Sequence, residues 1–204
     1  MMDMSGLTET VLDRARSAER VIVAIAGPPG AGKSTLAEAL RAKVAAAGHW
    51  VAVVPMDGFH FDDGVLADRG LLPRKGAPET FDVAGYRHLM GRLRARESDV
   101  AIPVFDRATE IARAGAAIVP AETRIVLTEG NYLLLDEEPW AGLAGMFDLT
   151  VSLKVPLDEL ERRLIDRWLN LGYSYGRARE KALSNDIPNA RRVVAGSRRA
   201  DISL

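Results

Sequence analysis

Cysteine is absent from this sequence of 204 residues. Its absence excludes disulfides, thiolate catalysis and zinc–thiolate sites. Neither sign of charge dominates, because 27 lysines and arginines face 28 aspartates and glutamates, for a formal net charge of −1. Such a balance gives no general attraction to nucleic acid or to an anionic membrane, so neither is expected as a partner. A polyanionic ligand would need a local basic site.

Long apolar runs are also missing, and no uninterrupted stretch of the sequence is long enough to cross a bilayer. The first twelve residues include Asp3 and Glu9 and lack the basic flank and apolar core of a signal peptide. We therefore expect a cytoplasmic protein. With 48% hydrophobic residues, a chain of this length can form one α/β domain with a sizeable core.

Short apolar runs alternate with amphipathic stretches. Val21 to Ala26 is apolar throughout, which is typical of a strand buried on both faces of a parallel sheet. Other strands are predicted at 50–54, 101–105, 116–119, 124–128, 149–155 and 200–203. After an N-terminal helix, helices are predicted at 34–47, 82–97, 156–171, 175–184 and 189–195. This alternation predicts an α/β fold with a doubly wound, mostly parallel sheet flanked by helices.

A glycine-rich turn links the first predicted strand to the helix at 34–47. It reads G-P-P-G-A-G-K-S-T and contains the pattern G-x-x-x-x-G-K-[ST]. Glycines let backbone N–H groups converge on phosphate oxygens, and the helix N-terminus adds its positive end. The expected nucleotide-binding residues are Gly27, Gly30, Ala31, Gly32, Lys33, Ser34 and Thr35. Because Lys33 can reach the β- and γ-phosphates and the Ser34 hydroxyl can ligate Mg²⁺, ATP and Mg²⁺ are the predicted cofactors.

Acidic residues follow the next two core strands, where ligands bind in parallel sheets. Asp57 follows the second strand and Glu129 the third. Phosphoryl transfer to an alcohol needs a carboxylate that accepts the hydroxyl proton, and Asp57 is the candidate base. Glu129 is the candidate for holding Mg²⁺, directly or through water. The alternative for Asp57 is a simple Asp-Gly turn.

Two arginines, Arg163 and Arg167, lie four residues apart on a predicted helix and share one face. Guanidinium groups so placed can close over the phosphates of ATP and stabilise the charge that develops during transfer, so both are candidate catalytic residues. The alternative is a set of surface ion pairs, for example with Glu159 and Asp166.

Another motif, Asp82-Val83-Ala84-Gly85, matches the D-x-x-G pattern of GTPase switches literally. It opens a predicted helix, and N-K-x-D is found nowhere in the chain. We therefore interpret Asp82 as the cap of that helix.

Together these motifs resemble the superfamily of phosphoribulokinase, uridine kinase and bacterial pantothenate kinase, and particularly a bacterial group of fructose-uptake-system kinases. The matching stretches keep their order along the chain: 26–35, 55–60 (P-M-D-G-F-H), 74–79 (R-K-G-A-P-E), 103–107 (P-V-F-D-R), 129–132 (E-G-N-Y) and 163–168 (R-L-I-D-R-W). The resemblance implies a kinase with Asp57 as general base, Glu129 near the metal, and Arg163 with Arg167 in a short lid at about 160–175.

The acceptor site is expected in an insertion at about 58–120 of a single domain spanning 1–204, because 58–81 is irregular and rich in Gly, Pro, Asp and Arg. The candidate substrate-binding residues are Asp57, His60, Arg74, Asp106, Arg107 and Asn131. Short hydrogen-bonding groups favour a sugar such as fructose over a nucleoside, whose base usually stacks on aromatic rings.

Several alternatives stay open at this stage. The acceptor can be a nucleoside or pantothenate, and an ATP-binding regulatory module without an acceptor, associated with a transporter, is the rival from another class. The sequence also allows a homodimer. It does not assign roles to Asn185, Asp186 and Asn189.

Overall fold

The computed structural model describes residues 3–204. Its helices are α1 (Met4–Arg16), α2 (Lys33–Ala46), α3 (Asp63–Asp68), α4 (Val83–Arg94), α5 (Leu157–Asn170), α6 (Tyr175–Lys181) and α7 (Ile187–Gly196). Its strands are β1 (Val21–Ala26), β2 (Val51–Pro55), β3 (Val100–Asp106), β4 (Ile111–Val119), β5 (Ile125–Gly130), β6 (Leu149–Ser152) and β7 (Ile202–Ser203). None of the helices described over these residues is both long and apolar enough to span a membrane.

The larger sheet has the order β2-β5-β1-β6-β7, and every pairing in it is parallel. Strands β1 and β5 lie inside it and are buried along their whole length. Because β5 lies between β2 and β1, the carboxyl ends of these three strands are adjacent, with Glu129 opposite Pro55 on one side and Ile25 on the other. The side chains that follow them are therefore gathered at one edge of the sheet.

Apolar side chains pack on both faces of this sheet. Along β1 they alternate, so that Val23 belongs to the same apolar cluster as Leu40 of α2 on one face, and Ala24 to the same cluster as Met90 of α4 on the other. A third cluster lies under α5, α6 and α7. The predicted parallel sheet flanked by helices is confirmed.

Two parts of the chain differ from the sequence-based expectation. The second strand was expected to be buried, but β2 is an edge strand in which only Val54 is buried. Strands β3 and β4 are longer than predicted and form a separate antiparallel hairpin. Most of β4 is exposed, so little hydrophobic alternation marks it in the sequence. The stretch 58–81 also contains α3 and short 3₁₀ turns.

Candidate active site

The phosphate loop joins β1 to α2 near the middle of the sheet. Gly30 and Gly32 have φ values of 81° and 94°, in the left-handed region that glycine enters without strain. A Cβ on Gly32 would meet no heavy atom within 4 Å, so the backbone there is open to a ligand. Helix α2 begins at Lys33, and its first N–H groups have no partners within the helix. This arrangement fits a polyphosphate.

Lys33 is only 8% exposed. Its Nζ donates hydrogen bonds to the Pro28 carbonyl (3.0 Å) and to Asn131 Oδ1 (2.6 Å). Burial lowers the pKa of Lys33, and the carboxylates of Glu129 and Asp57 oppose that shift. An ammonium has three donors, so one remains for a phosphate oxygen.

Ser34 and Glu129 form the candidate metal pair. The Ser34 hydroxyl donates to Glu129 Oε1 over 3.0 Å, and Glu129 is 6% exposed at the end of β5. Burial raises the pKa of Glu129, while Lys33 opposes the shift. These oxygens fit Mg²⁺, which usually takes one or two protein carboxylates and completes its shell with water and phosphate oxygens.

Asp57 lies in the 3₁₀ turn that follows β2. Its Oδ2 accepts a hydrogen bond from Arg107 Nη2 over 2.8 Å, whereas Oδ1 has no hydrogen-bond partner among residues 3–204. A Cβ on the next residue, Gly58, would collide with the Pro103 carbonyl. The Asp-Gly pair does form a turn, and its glycine allows the β3–β4 hairpin to pack close enough for Arg107 to reach Asp57.

His60 packs against two aromatic rings, with centroid distances of 4.0 Å to Phe81 and 4.6 Å to Phe105. Its Nδ1 lies 2.8 Å from the Asp57 carbonyl oxygen, which can only accept, so Nδ1 carries the proton. Burial lowers the pKa of His60, although the nearby Asp57 opposes this. The neutral ring therefore presents Nε2 as a hydrogen-bond acceptor.

The paired arginines of α5 both line the cleft that contains Lys33. Arg163 donates from Nε to Glu159 (2.6 Å) and from Nη1 to the Gly30 carbonyl (3.3 Å). Arg162 and Arg163 together hold the pKa of Glu159 down to about 2. Arg167 pairs with Asp186 instead of the Asp166 named from the sequence. Both arginines thus have ion-pair partners, and Arg163 also contacts the phosphate loop.

The cleft has a volume of about 850 Å³, which is large enough for a nucleotide and a small acceptor. It brings together most of the predicted site residues: Gly30, Gly32, Lys33, Ser34, Thr35, Asp57, His60, Arg107, Glu129, Asn131, Arg163 and Arg167. The other two predicted residues of the phosphate loop, Gly27 and Ala31, do not line the cleft but pack against the structure beneath the loop. Ala31 packs in the cluster under α5, and a Cβ on Gly27 would approach the Leu153 carbonyl to 3.0 Å.

Two predicted substrate-binding residues are not among the side chains that line the cleft. Arg74 pairs with Glu79 at 2.6 Å. Asp106 accepts hydrogen bonds from the backbone of Ala108 (3.0 Å) and Thr109 (3.3 Å), which fixes the hairpin turn. In place of Arg74, its neighbour Lys75 reaches the cleft. Nothing in an Arg-Lys pair within an irregular loop indicates which of the two faces inward.

The cleft wall also contains residues to which sequence reasoning gave no role. Phe81 and Phe105 lie there with His60, although no aromatic box was expected. Asn185, Asp186 and Asn189, whose roles the sequence did not assign, also line it. Their order N-D-x-x-N, which runs into the first turn of α7 and includes Pro188, was the available signal.

Comparison with known families gives one partial match. Residues 3–79 match the family of the methylmalonyl-CoA mutase-associated GTPase MeaB. This range holds the phosphate loop and Asp57 but ends before the D-x-x-G pattern at Asp82. In the structure Asp82 caps α4, because its Oδ1 accepts from Gly85 N over 2.8 Å.

Several relatives that match most of this chain are described as kinases. A crystal structure from Silicibacter sp. TM1040, provisionally described as a fructose transport system kinase, matches with a TM-score of 0.95 and 46% identity over 100% of both chains. A Schizosaccharomyces pombe protein, provisionally described as the uridine kinase C227.14, is 32% identical over 91% of this chain and 83% of its own. The pantothenate kinase of Sorangium cellulosum is 34% identical over 80% of this chain, which covers 54% of that enzyme.

The fold, the cleft and these relatives define a small-molecule kinase. The chain belongs to the family of P-loop kinases of the uridine kinase and pantothenate kinase type. Kinases of this type generally use ATP with Mg²⁺.

Proposed function

We propose that this chain transfers the γ-phosphoryl group of Mg-ATP to a hydroxyl group of a small sugar, with fructose as the first acceptor to test. The observation that carries the proposal is the Asp57 carboxylate, which faces the same cleft as Lys33 and the Ser34–Glu129 pair. A carboxylate beside a phosphate site has the chemistry needed to deprotonate an alcohol.

In the proposed step, Asp57 Oδ1 accepts the proton of the acceptor hydroxyl. The hydroxyl oxygen forms a bond to the γ-phosphorus, and ADP leaves with the electron pair of the broken bond. Arg107 holds the other oxygen of Asp57 and so directs Oδ1. Bound Mg²⁺, held by Ser34 and Glu129, would supply charge neutralisation at the phosphates.

Lys33, Arg163 and Arg167 supply positive charge around the transferring group, where fixed charges stabilise a transition state most effectively. The proposed lid at about 160–175 carries these two arginines. The proposed acceptor region, at about 58–120, supplies His60 and Arg107, and Asp57 lies immediately before it.

A sugar is favoured by the polar groups that Asp57 and the proposed acceptor region present to the cleft. Asp57 Oδ1 and the acceptor nitrogen of His60 suit hydroxyl donors. The provisional description of the Silicibacter protein as a fructose transport system kinase supports the same choice.

A nucleoside is the second candidate, because Phe81 and Phe105 lie in the cleft wall and the S. pombe relative is provisionally described as a uridine kinase. Both rings pack against His60, which leaves less of their faces for a base. Pantothenate is a further candidate from the relatives.

The acceptor is tested by measuring ADP release with fructose, uridine and pantothenate, and without any acceptor. We expect the highest kcat/KM with fructose. A value for uridine or pantothenate at least ~100-fold above that for fructose, a gap of about 2.7 kcal/mol in transition-state binding, would overturn the choice. ADP release at the same rate with and without every acceptor would also contradict the proposal.

The base is tested with Asp57→Asn, which keeps the shape of the side chain but cannot accept the proton. We expect kcat to fall by about 100- to 10,000-fold with little change in ATP affinity. Asp68→Asn, an exposed carboxylate at the end of α3, is the matched control and should behave as wild type. Near-normal kcat in a folded Asp57→Asn protein would contradict the assignment.

A further inference from the structure

A wide helical turn separates α6 from α7. Ala182–Asp186 is π-helical, and the Ile187 N–H donates five residues back to the Ala182 carbonyl. Pro188 has no N–H, so it cannot donate to the carbonyl four residues before it, and the backbone widens there. The turn places Asn185 and Asp186 side by side in the wall of the cleft.

Asp186 is tied to two consecutive residues of α5. Its two oxygens each lie 3.2 Å from Arg167 Nη2, and Oδ2 also accepts from Trp168 Nε1 over 2.7 Å. The Asp186 side chain is 13% exposed, compared with 38% for Arg167. The Lys181 ammonium lies over the Trp168 indole, 4.4 Å from the centre of one of its rings, and this contact helps to hold the indole in place. The carboxylate is therefore the fixed partner and the arginine is the more exposed one.

The pairing uses only one nitrogen of the Arg167 guanidinium. Nε and Nη1 have no hydrogen-bond partner in the part of the chain that the structure describes. A guanidinium carries five N–H donors in a rigid plane, so holding one nitrogen orients the others. Those donors remain available for phosphate oxygens in the cleft.

We infer that Asp186 is a positioning residue for phosphoryl transfer: it orients Arg167 toward the transferring phosphate and does not itself touch the substrates. This inference rests on the proposed role of Arg167. A free arginine side chain samples many rotamers, and a charge that is already oriented stabilises the transition state without reorganisation. Trp168 contributes by keeping the carboxylate in place.

The direct test is Asp186→Asn, which retains an oxygen to accept from Trp168 and removes the charge. We expect kcat to fall by about 10- to 100-fold, the scale of a small misplacement of a catalytic group, and KM for ATP to rise by a smaller factor because the γ-phosphate contact is weakened in the ground state too. Asp186→Glu restores the charge and should recover part of the loss. Glu97→Gln, which removes a carboxylate from the Arg92 pair at 2.7 Å and lies outside the cleft, is the matched control. An unchanged or increased kcat in Asp186→Asn would overturn the inference.

A second measurement does not depend on the acceptor. The affinities for the non-hydrolysable ATP analogue AMPPNP and for ADP, both with Mg²⁺, give a ratio that reports contacts to the γ-phosphate. We expect Arg167→Ala and Asp186→Asn each to lower this ratio, and the double variant to match Arg167→Ala alone. Additive losses, or an Arg167→Ala variant with unchanged ratio and kcat, would overturn the inference. If none of the sugars tested is phosphorylated but the ratios behave as expected, only the proposed acceptor fails.

Discussion

The two sides of the cleft are built from different kinds of structure. The phosphate side is formed by residues at the ends of β1 and β5 and at the start of α2. Its side chains Lys33 and Glu129 are only 8% and 6% exposed. The acceptor side is formed by turns and by a hairpin outside the main sheet, and its Arg107 side chain is 61% exposed. Under the proposed function, the chemistry shared by all phosphoryl transfers is held by buried strands and a helix, whereas recognition of the acceptor falls to loops, which tolerate change.

The largest effect is expected on the phosphate side, from Lys33→Ala. Removing the ammonium leaves the charge on the phosphates uncompensated, so we expect kcat to fall by at least about 100-fold. Steady-state kinetics and far-UV circular dichroism measure the rate and the fold. Lys43→Ala, an exposed lysine further along α2, is the control. Near-normal kcat in a folded Lys33→Ala protein would contradict the assignment of the phosphate site to this side of the cleft.

An intermediate effect is expected on the acceptor side, from the titration of His60. Its pKa lies below the usual 6.5, so the ring is neutral above that pH. As pH falls through the lowered pKa, Nε2 is protonated and stops accepting, and KM for the acceptor should rise by about 10-fold, the value of one hydrogen bond. The contribution of the neutral ring to stability is likewise complete above pH 6.5 and lost as pH falls through the folded-state pKa.

The pH profile of KM in His60→Asn distinguishes this residue from other titrating groups, because the acidic rise should disappear. His88→Asn removes an exposed histidine that does not line the cleft and should keep the wild-type profile. An acidic rise in KM that persists unchanged in His60→Asn would show that His60 is not the group responsible.

The smallest effect is expected from Asp82→Ala. Because Asp82 is the N-cap of α4, we expect the free energy of unfolding to fall by about 1 kcal/mol and kcat to stay unchanged. Asp3→Ala removes the corresponding cap of α1 and should have a similar effect. Urea denaturation and kinetics test both. A large loss of kcat in Asp82→Ala alone would mean that residues 82–85 act as a nucleotide switch after all.

The phosphate side could be predicted from the sequence because its signals are local. A run of apolar residues, glycines at fixed spacing and a following amphipathic helix determine where Lys33 and Ser34 lie. Asp57 and Glu129 could be added because parallel strands end at one edge of the sheet.

The acceptor side and the Arg167–Asp186 pair could not be predicted to the same depth because their geometry depends on packing between distant segments. The choice between Arg74 and Lys75 is made by the fold of an irregular loop. Asp106 closes its own hairpin turn, and Asp186 meets Arg167 only because α5 and α7 pack together. Residue type and spacing alone do not encode such contacts.

The end of β5 has a mechanical consequence for the phosphate side. Glu129 bonds to Ser34, and Asn131, two residues further on, bonds to the adjacent Lys33. Both contacts link the same strand end to the same helix start. The Lys33 ammonium and the candidate Mg²⁺ position are therefore both referenced to the end of β5. The distance between them is set by these two short side-chain contacts and the two adjacent helix residues, and not by the register of the whole sheet.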